Sequence, residues 1–260
     1  MMIDKMIVIQ NNQIAKDIFE LKVKGALAAH VREPGQFVHI KVGGFIDAML
    51  RRPISICDVD KQDQVMTMIY RADGNGTKRL SQYAEGEELE ILGPLGNGFP
   101  IETVKAGSHA ILVGGGVGVP PLYYLSKQLK EKGVQATHIL GFQTENIVFY
   151  EKEFKDLGPT YVTTVDGSKG TKGFVTDVLT EHDFAYDVMY ACGPVPMLKA
   201  LETGYSAKPL YLSLEQRMGC AIGACLACVC KTQDPQDSRG YRKVCSDGPV
   251  FKAGEVILPC

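Results

Sequence analysis

The sequence predicts an all-β unit, then an α/β unit, then a small cysteine-rich module. Short strand patterns fill residues 1–100, strand and helix patterns alternate over residues 101–208, and five of the eight cysteines lie within residues 220–245. Closely spaced strands bounded by turn residues favour an antiparallel barrel or sandwich, whereas alternating strands and helices favour a parallel sheet. We therefore expect three domains, at residues 1–100, 101–208 and 209–260.

The composition is that of an ordinary globular protein. Hydrophobic residues make up 45% of the chain and charged residues 22%, which argues against disorder and a coiled coil. The formal net charge of -2 gives no electrostatic basis for binding nucleic acid. No apolar run matches a signal peptide or a membrane span, so we expect a cytoplasmic protein without a membrane partner. In a reducing cytosol, clustered cysteines bind metal or carry redox chemistry more often than they pair.

The first unit contains five strand patterns separated by clusters of Gly, Asn, Asp or Pro. They lie at residues 6–9, 18–23, 37–42, 65–70 and 88–92. A helical patch at residues 77–84 interrupts them, and we expect Thr77 to be its N-cap.

The second unit alternates between strand and helix patterns. The strand patterns lie at residues 110–113, 136–142, 161–165 and 185–191, and helical patterns at residues 121–132 and 151–154. Ligands of such sheets bind at the carboxyl ends of the strands.

The most specific motif is Cys220-x4-Cys225-x2-Cys228, followed by Cys245. This is the plant-type spacing in which four thiolates hold a [2Fe–2S] cluster. Small residues between the cysteines let the backbone wrap closely around the inorganic sulfides. A zinc site is the alternative, but zinc usually takes two C-x2-C pairs and this segment supplies one. If Cys230 were a ligand together with Cys225 and Cys228, two ligands would stand only two residues apart on an alternating pattern. We therefore interpret Cys230 as a packing residue.

Two features of the first unit suit a ligand with phosphates and a flat ring. Arg52-Pro53-Ile54-Ser55 offers a cation, a rigid extended backbone and a hydroxyl, although an exposed arginine before a strand is the simpler interpretation. Gly74-Asn75-Gly76-Thr77 heads the short helix, where glycines permit close approach and a helix N-terminus favours a pyrophosphate.

Two turns of the second unit follow strand patterns. Residues 113–121 contain four glycines between an apolar strand and a helix, which is typical of loops that cradle dinucleotide phosphates. The third glycine of G-x-G-x-x-G is replaced by Val119, so that fingerprint is incomplete. The second turn begins at Cys192, although a lone cysteine there is more often part of the core.

Together these motifs resemble the ferredoxin–NADP reductase superfamily, which has R-P-x-S on a flavin barrel, G-G-G-x-G-x-x-P in a nicotinamide loop and C-G-P late in the nucleotide domain. Residues 218–228 and 245–251 are similar to the cluster segment of the electron transfer subunits of class 1B dihydroorotate dehydrogenases. The resemblance covers nearly the whole chain. One departure is Ala221, where many members have glycine, although the small size is kept.

The resemblance implies FAD on the barrel, NAD on the second unit and a [2Fe–2S] cluster on the third, with no catalytic acid–base residue. The residues it assigns to FAD are Arg52, Pro53, Ile54, Ser55, Ile69, Tyr70, Arg71, Gly76 and Thr77. Those it assigns to NAD are Gly115, Gly116, Gly118 and Cys192. The implied cluster ligands are Cys220, Cys225, Cys228 and Cys245.

The cofactors imply an order of electron carriers. Nicotinamide moves a hydride, a [2Fe–2S] cluster moves one electron and a flavin does both, so FAD is expected between the other two. The resemblance implies an FMN-containing dihydroorotate dehydrogenase catalytic subunit as partner, with two copies of each chain, acting in pyrimidine (UMP) biosynthesis. No dihydroorotate site is expected on this chain. Residues 141–146 contain Glu145 and no Lys or Arg, which favours NAD over NADP.

Two other functions stay open at the level of sequence. One is the flavin and iron–sulfur subunit of an NAD(P)H:ferredoxin oxidoreductase, a sulfide dehydrogenase or a hydrogenase, although residues 215–220 favour the dihydroorotate system. The other is a zinc-binding scaffold without enzymatic activity, which flavin and metal analysis would distinguish.

Overall fold

Six strands of the N-terminal region close into an antiparallel barrel, as predicted. The computed structural model describes residues 1–43 and 49–258 of the 260-residue chain. The barrel strands are β1 (Met2–Ala15), β2 (Ile18–Lys24), β3 (Phe37–Ile40), β4 (Arg52–Asp60), β5 (Val65–Arg71) and β6 (Glu88–Leu95). They pair in the order β1-β2-β5-β4-β3-β6, and β6 closes on β1.

The longest strand, β1, extends well past the predicted residues 6–9 because its polar half is satisfied by hydrogen bonds. Asn11 donates to the carbonyl oxygens of Leu80 (2.8 Å) and Tyr83 (3.0 Å) and accepts a bond from the Tyr70 hydroxyl (2.9 Å). The Asn11 side chain therefore ties β1 to β5 and to the end of the barrel helix.

That helix, α1 (Asn75–Leu80), begins earlier than predicted, and Thr77 is not its N-cap. Gly74 is the N-cap, while Thr77 occupies the third helical position and its hydroxyl accepts from the Gly74 N–H at 3.2 Å. Gly74 has no side chain to accept from the first turn, and the Thr77 hydroxyl makes the other half of a capping box by accepting from the N-cap N–H.

The second unit is a sheet of seven strands in the order β10-β9-β8-β7-β11-β12-β15. The strands are β7 (His109–Gly115), β8 (Gln135–Phe142), β9 (Thr160–Thr164), β10 (Thr171–Lys172), β11 (Val188–Cys192), β12 (Leu210–Ser213) and β15 (Val250–Lys252). Its helices are α2 (Pro120–Glu131), α3 (Glu151–Lys155), α4 (Val175–His182) and α5 (Val195–Tyr205). All pairs are parallel except β12 with β15. The order reverses between β7 and β11, where open α/β sheets bind ligands.

The C-terminal segment shares this sheet, because β12 and β15 both fall within residues 209–260. Between them lie the cysteine loop and a hairpin of β13 (Val229–Lys231) and β14 (Tyr241–Lys243). Within the described residues, no helix has the length and apolarity to cross a membrane.

The barrel packs against the sheet through an apolar cluster that includes Ile18 and Ile69, and through polar contacts. Lys127 on α2 donates to both carboxylate oxygens of Asp58 on β4, at 2.8 and 2.7 Å. The Tyr150 hydroxyl donates to the Glu20 carboxylate on β2. These contacts hold one side of the barrel over the carboxyl ends of the parallel strands.

Candidate functional site

A cavity of about 740 Å³ lies between the barrel and the carboxyl edge of the sheet. Ile18 and Arg71 line it from the barrel, and the turns after β7 and β11 line it from the sheet. Its size is within the range of about 300–1,000 Å³ typical of small-molecule sites, and it sits at the switch point of the strand order.

The glycine turn after β7 is packed directly against the turn after β11. A Cβ atom on Gly118 would lie 2.3 Å from the Cys192 carbonyl oxygen, and one on Gly115 would lie 2.8 Å from Pro194 Cδ. Gly116 has a φ of 53°, a left-handed conformation that glycine adopts without strain. The structure thus brings together the two motifs that were predicted separately from the sequence, and it explains why residue 118 has no side chain.

The Cys192 thiol lies behind this turn rather than free in the cavity. It is 2% exposed, and burial raises its pKa well above the usual range. A hydrogen bond with the Ser213 side chain partly opposes that effect. Cys192 is therefore a neutral, buried residue, and the next residues of its turn, Gly193 and Pro194, line the cavity.

Glu215 is a cavity residue to which the sequence analysis assigned no role. It follows the end of β12 and lines the cavity together with the two turns. Its side chain is exposed, yet the protein around it excludes part of the water, and this desolvation raises its pKa above the ordinary value. Its position just after a parallel strand was the only available signal.

Phe174 is a second such residue, at the opposite end of the cavity. Its ring lines the cavity and is 62% exposed, so packing does not account for it. It is also the N-cap of α4, where its backbone N–H donates to the Asp177 carboxylate at 2.7 Å. An exposed aromatic ring is thus held by a fixed backbone at the rim.

The proposed FAD residues on β4 and α1 come together. The Arg52 side chain lies over Gly76, because a Cβ on Gly76 would be 2.0 Å from Arg52 Nε. A guanidinium therefore stands against the N-terminal turn of α1, an arrangement that suits a pyrophosphate. Pro53 and Ser55 face outward in alternation, whereas Ile54 packs against the barrel core.

The three proposed FAD residues on β5 diverge. Tyr70 is 2% exposed and bonded to Asn11 inside the barrel, and Ile69 joins the apolar cluster between the barrel and the sheet. Arg71 alone of the three lines the cavity. The side chains of the other two are buried and do not reach the cavity.

The four predicted cluster ligands converge as two pairs. The Cys225 N–H donates to Cys220 Sγ at 3.3 Å, and the Cys228 thiol lies close enough to Cys245 to raise the pKa of that thiol. In the described part of the chain, no three His, Cys, Asp or Glu side chains are grouped as a single metal ion requires. Two pairs of thiols suit a cluster with two irons, each of which takes two cysteine ligands.

Backbone N–H groups prepare one of these thiols for metal binding. Burial alone would raise the pKa of Cys220, but hydrogen bonds from the backbone at Ile222, Cys225 and Ala224 outweigh it and lower that pKa to about 7. Burial and the neighbouring Cys228 thiol raise the pKa of Cys245 to about 11. Iron binding displaces these protons, since the thiolate is the ligand.

Ala221 occupies a left-handed backbone conformation within the cluster loop. Its φ is 58° and its side chain is 1% exposed. An L-residue pays a steric penalty in this conformation that glycine avoids. The positive φ explains why glycine suits the position, and the burial of the side chain explains why nothing larger than a methyl group fits.

Substitutions at Ala221 should change how long the loop keeps its iron. We expect Ala221→Gly to stabilise the loop by about 1 kcal/mol, whereas Ala221→Val, β-branched at a positive φ, should lose the cluster. The measurement is the half-time of iron release to a chelator. Faster release from the glycine variant than from the parent would contradict the strain at this position.

Known proteins place the chain in a family. A family model described as the iron-sulfur cluster binding domain of dihydroorotate dehydrogenase B matches residues 215–257, and an oxidoreductase NAD-binding domain matches residues 112–203. The "Dihydroorotate dehydrogenase B (NAD(+)), electron transfer subunit" of Bacillus cereus (strain G9842) is 58% identical over 253 residues, covering 97% of this chain and 98% of that protein. The protein of that name from Bacillus anthracis (strain A0248) has the same identity and coverage.

The chain belongs to the family of dihydroorotate dehydrogenase B electron transfer subunits.

Solved structures extend this family's fold to other reductases. A structure of NADH-dependent reduced ferredoxin-NADP oxidoreductase superposes with a TM-score of 0.86 and 29% identity, covering 98% of this chain and 90% of that one. The cytochrome b5 reductase domain of Ulva prolifera nitrate reductase gives a TM-score of 0.62 at 16% identity, covering 76% of this chain and 89% of that one. The second similarity shows the barrel-and-sheet fold alone.

Proposed function

We propose that this chain passes electrons between an FMN-containing, dihydroorotate-oxidising catalytic subunit and NAD⁺, by way of [2Fe–2S] and FAD, in pyrimidine biosynthesis. The chain is an oxidoreductase subunit of the dihydroorotate dehydrogenase B family. The observation that carries the proposal is the position of the four cysteines, which form two pairs in the segment between β12 and β15. Both strands belong to the sheet whose carboxyl edge lines the cavity.

When bound, nicotinamide exchanges a hydride, flavin exchanges two electrons or one, and the cluster exchanges one. The residues of this chain position these groups. Gly115 and Gly118 would let the two turns at the switch point pack closely enough to form the NAD site, and Arg52 beside Gly76 would supply positive charge to the FAD pyrophosphate. Cys220, Cys225, Cys228 and Cys245 would bind the irons.

The strand order suggests how NAD lies in the cavity. The turns after β7 and β11 and Glu215 form one end, where the barrel residue Arg71 is also found, so the nicotinamide belongs there. Phe174 follows β10 at the far end, where the adenine would reach. Among the described residues that line the cavity, the only Lys or Arg is Arg71, which belongs to the nicotinamide end. No described lining residue at the adenine end could therefore neutralise a 2′-phosphate, which supports NAD over NADP.

Phe174 should therefore contribute to NADH binding and not to the hydride step. We expect Phe174→Ala to raise KM for NADH by about tenfold, the effect of losing roughly 1–3 kcal/mol of base stacking, with little change in kcat. Steady-state NADH oxidation with a two-electron dye measures both constants. Phe174→Tyr keeps the ring and is the matched control, and an unchanged KM in the alanine variant would contradict the role.

The cluster loop carries an exposed apolar surface that suits the catalytic partner. Ile222, Leu226 and Val229 are 46%, 62% and 38% exposed, and they lie within four residues of the partly exposed Cys220 or Cys225 in the chain. Exposed apolar side chains grouped in this way mark association sites. A partner seated there would approach the cluster edge, as electron transfer requires.

A charge at the centre of this surface should weaken the association. We expect Leu226→Asp to reduce the affinity for the catalytic subunit by about tenfold or more, since truncated or charged anchors typically cost over 1 kcal/mol. NADH oxidation with the dye should be unchanged. Ile3→Asp on β1, where Ile3 is 60% exposed, is the matched control in a sedimentation experiment. Equal affinities for the two variants would contradict this docking site.

The proposal includes domains at residues 1–100, 101–208 and 209–260 and two copies of each subunit in the assembly. It also includes a cytoplasmic location, which the free cysteines of the described chain favour because thiols stay reduced there.

Cofactor analysis of the purified chain tests the proposal. We expect a coloured protein with FAD and about two irons per chain, whose flavin is bleached by NADH. Adding the FMN subunit and dihydroorotate should then produce NADH. A colourless protein with one zinc would overturn the proposal, and a pull-down that recovers a hydrogenase or glutamate-synthase-like subunit instead would favour another reductase.

A further inference from the structure

The segment after Cys245 is hydrogen-bonded to the barrel through Asn97, in the turn that follows β6. Asn97 Nδ2 donates to the carbonyl oxygens of Ser246 (3.1 Å) and Asp247 (3.0 Å). The Asn97 backbone N–H donates to the Gly248 carbonyl oxygen at 2.7 Å. One barrel residue thus makes three hydrogen bonds to the loop that carries the fourth cluster ligand.

These bonds are not those of an ordinary turn asparagine. An asparagine that stabilises its own turn bonds the backbone about two residues away. Both side-chain bonds of Asn97 instead cross to residues 149 and 150 positions later in the chain. The side chain therefore joins two units of the molecule, although Asn97 itself lies at the surface.

The neighbouring glycine brings the turn close to the strands that bear the proposed FAD residues. Gly96 has a φ of 73°, and a Cβ there would lie 2.5 Å from Pro249 Cδ and 3.0 Å from Phe37 Cε1. Phe37 on β3 is directly opposite Ser55 on β4. The turn is thus packed between the cluster loop and the strand pair that carries the proposed FAD motif.

Both sides of this junction are anchored. The buried Gln36 donates from Nε2 to the Gly96 carbonyl oxygen at 2.9 Å, while its Oε1 accepts from the Arg32 N–H at 2.9 Å. On the sheet side, the Leu214 N–H donates to the Pro249 carbonyl oxygen at 2.9 Å, one residue before Glu215 in the cavity wall. The junction therefore has little freedom to shift.

We propose that Asn97 is a positioning residue that sets the gap between FAD and the [2Fe–2S] cluster. This inference rests on the proposed function. In the step concerned, one electron leaves reduced FAD and lowers the oxidation state of the cluster by one, and no bond is formed or broken. The rate of such a step depends on how firmly the two sites are held relative to each other, and Asn97 holds the Cys245 loop to the barrel.

Rapid mixing of the full chain with NADH separates the two steps. In Asn97→Ala, bleaching of the flavin absorbance should stay within about twofold of the parent, because the nicotinamide turns are untouched. Cluster reduction, followed by freeze-quench EPR, should slow severalfold, because the rate of electron transfer falls steeply as the gap between two carriers widens. Asn12→Ala, at an exposed position on β1, is the matched control and should change neither rate.

Iron content, flavin content and the thermal midpoint are measured on the same samples. Gly96→Ala, which pushes on Pro249 without removing a donor, should slow the same step and provides a second variant. An Asn97→Ala protein with full cofactors and a parental rate of cluster reduction would overturn the positioning role of Asn97 and leave the proposed function standing. Equal slowing of both steps would also overturn it. A parent without FAD or iron, or one inert to NADH, would overturn the proposed function itself.

Discussion

The variant Cys225→Ser should lose electron transfer to the catalytic subunit while it continues to oxidise NADH with a two-electron dye. Cys225 is partly exposed and pairs with Cys220 through its backbone N–H, so the serine removes one thiolate and leaves the fold intact. A cluster needs four thiolates, and an alcohol is a poor substitute because it stays protonated near neutral pH. The FAD and NAD sites lie on other elements and should keep their ligands.

Three measurements check this expectation: iron per chain, NADH oxidation with the dye, and NADH production with the catalytic subunit and dihydroorotate. Cys230→Ser is the matched control, because Cys230 lies on the hairpin strand β13 and was predicted to pack rather than to bind iron. Its variant should keep the iron. If Cys225→Ser also lost dye reduction, the cluster would be structural or the order of carriers would be different.

The ligand set is a prediction from spacing along the chain, and it was possible because three of the four cysteines lie on one loop. Their spacing in the sequence limits how far apart their sulfur atoms can be, whatever the rest of the fold. The glycine turn after β7 was predictable for a similar reason, since a strand, a glycine run and a helix are adjacent in sequence. What no local pattern could predict is that Gly118 is packed on the carbonyl of Cys192, a contact between distant turns.

Features that depend on tertiary contacts escaped prediction. A single exposed phenylalanine has no periodicity, so Phe174 became noticeable only when it appeared on the rim of a cavity. The membership of β15 in the sheet depends on antiparallel pairing with β12 across the whole cysteine loop. Tyr70 lies within a correctly predicted strand, yet its ring faces the barrel interior, since a strand pattern gives alternation but not which face is inside.

Substitution of one buried glycine should remove the reaction with NADH while leaving the other cofactors bound. A methyl group on Gly118 would lie 2.3 Å from the Cys192 carbonyl oxygen and 2.6 Å from the Gly193 backbone nitrogen. Both are backbone atoms and cannot rotate away, so the two turns must separate. We expect Gly118→Ala to slow flavin reduction by NADH by about 100-fold, because a shift of about 1 Å in a positioned site has an effect of that order.

Stopped-flow bleaching of the flavin by NADH measures this effect, with dithionite reduction as a test that FAD and the cluster remain functional. Gly204→Ala is the matched control, since Gly204 lies within α5 with open space around its Cα and alanine favours a helix by about 1 kcal/mol. That variant should react with NADH as the parent does and unfold at a slightly higher temperature. A Gly118→Ala protein that reacts normally would show that the nicotinamide does not use the junction of these two turns, and the NAD site would then have to lie elsewhere.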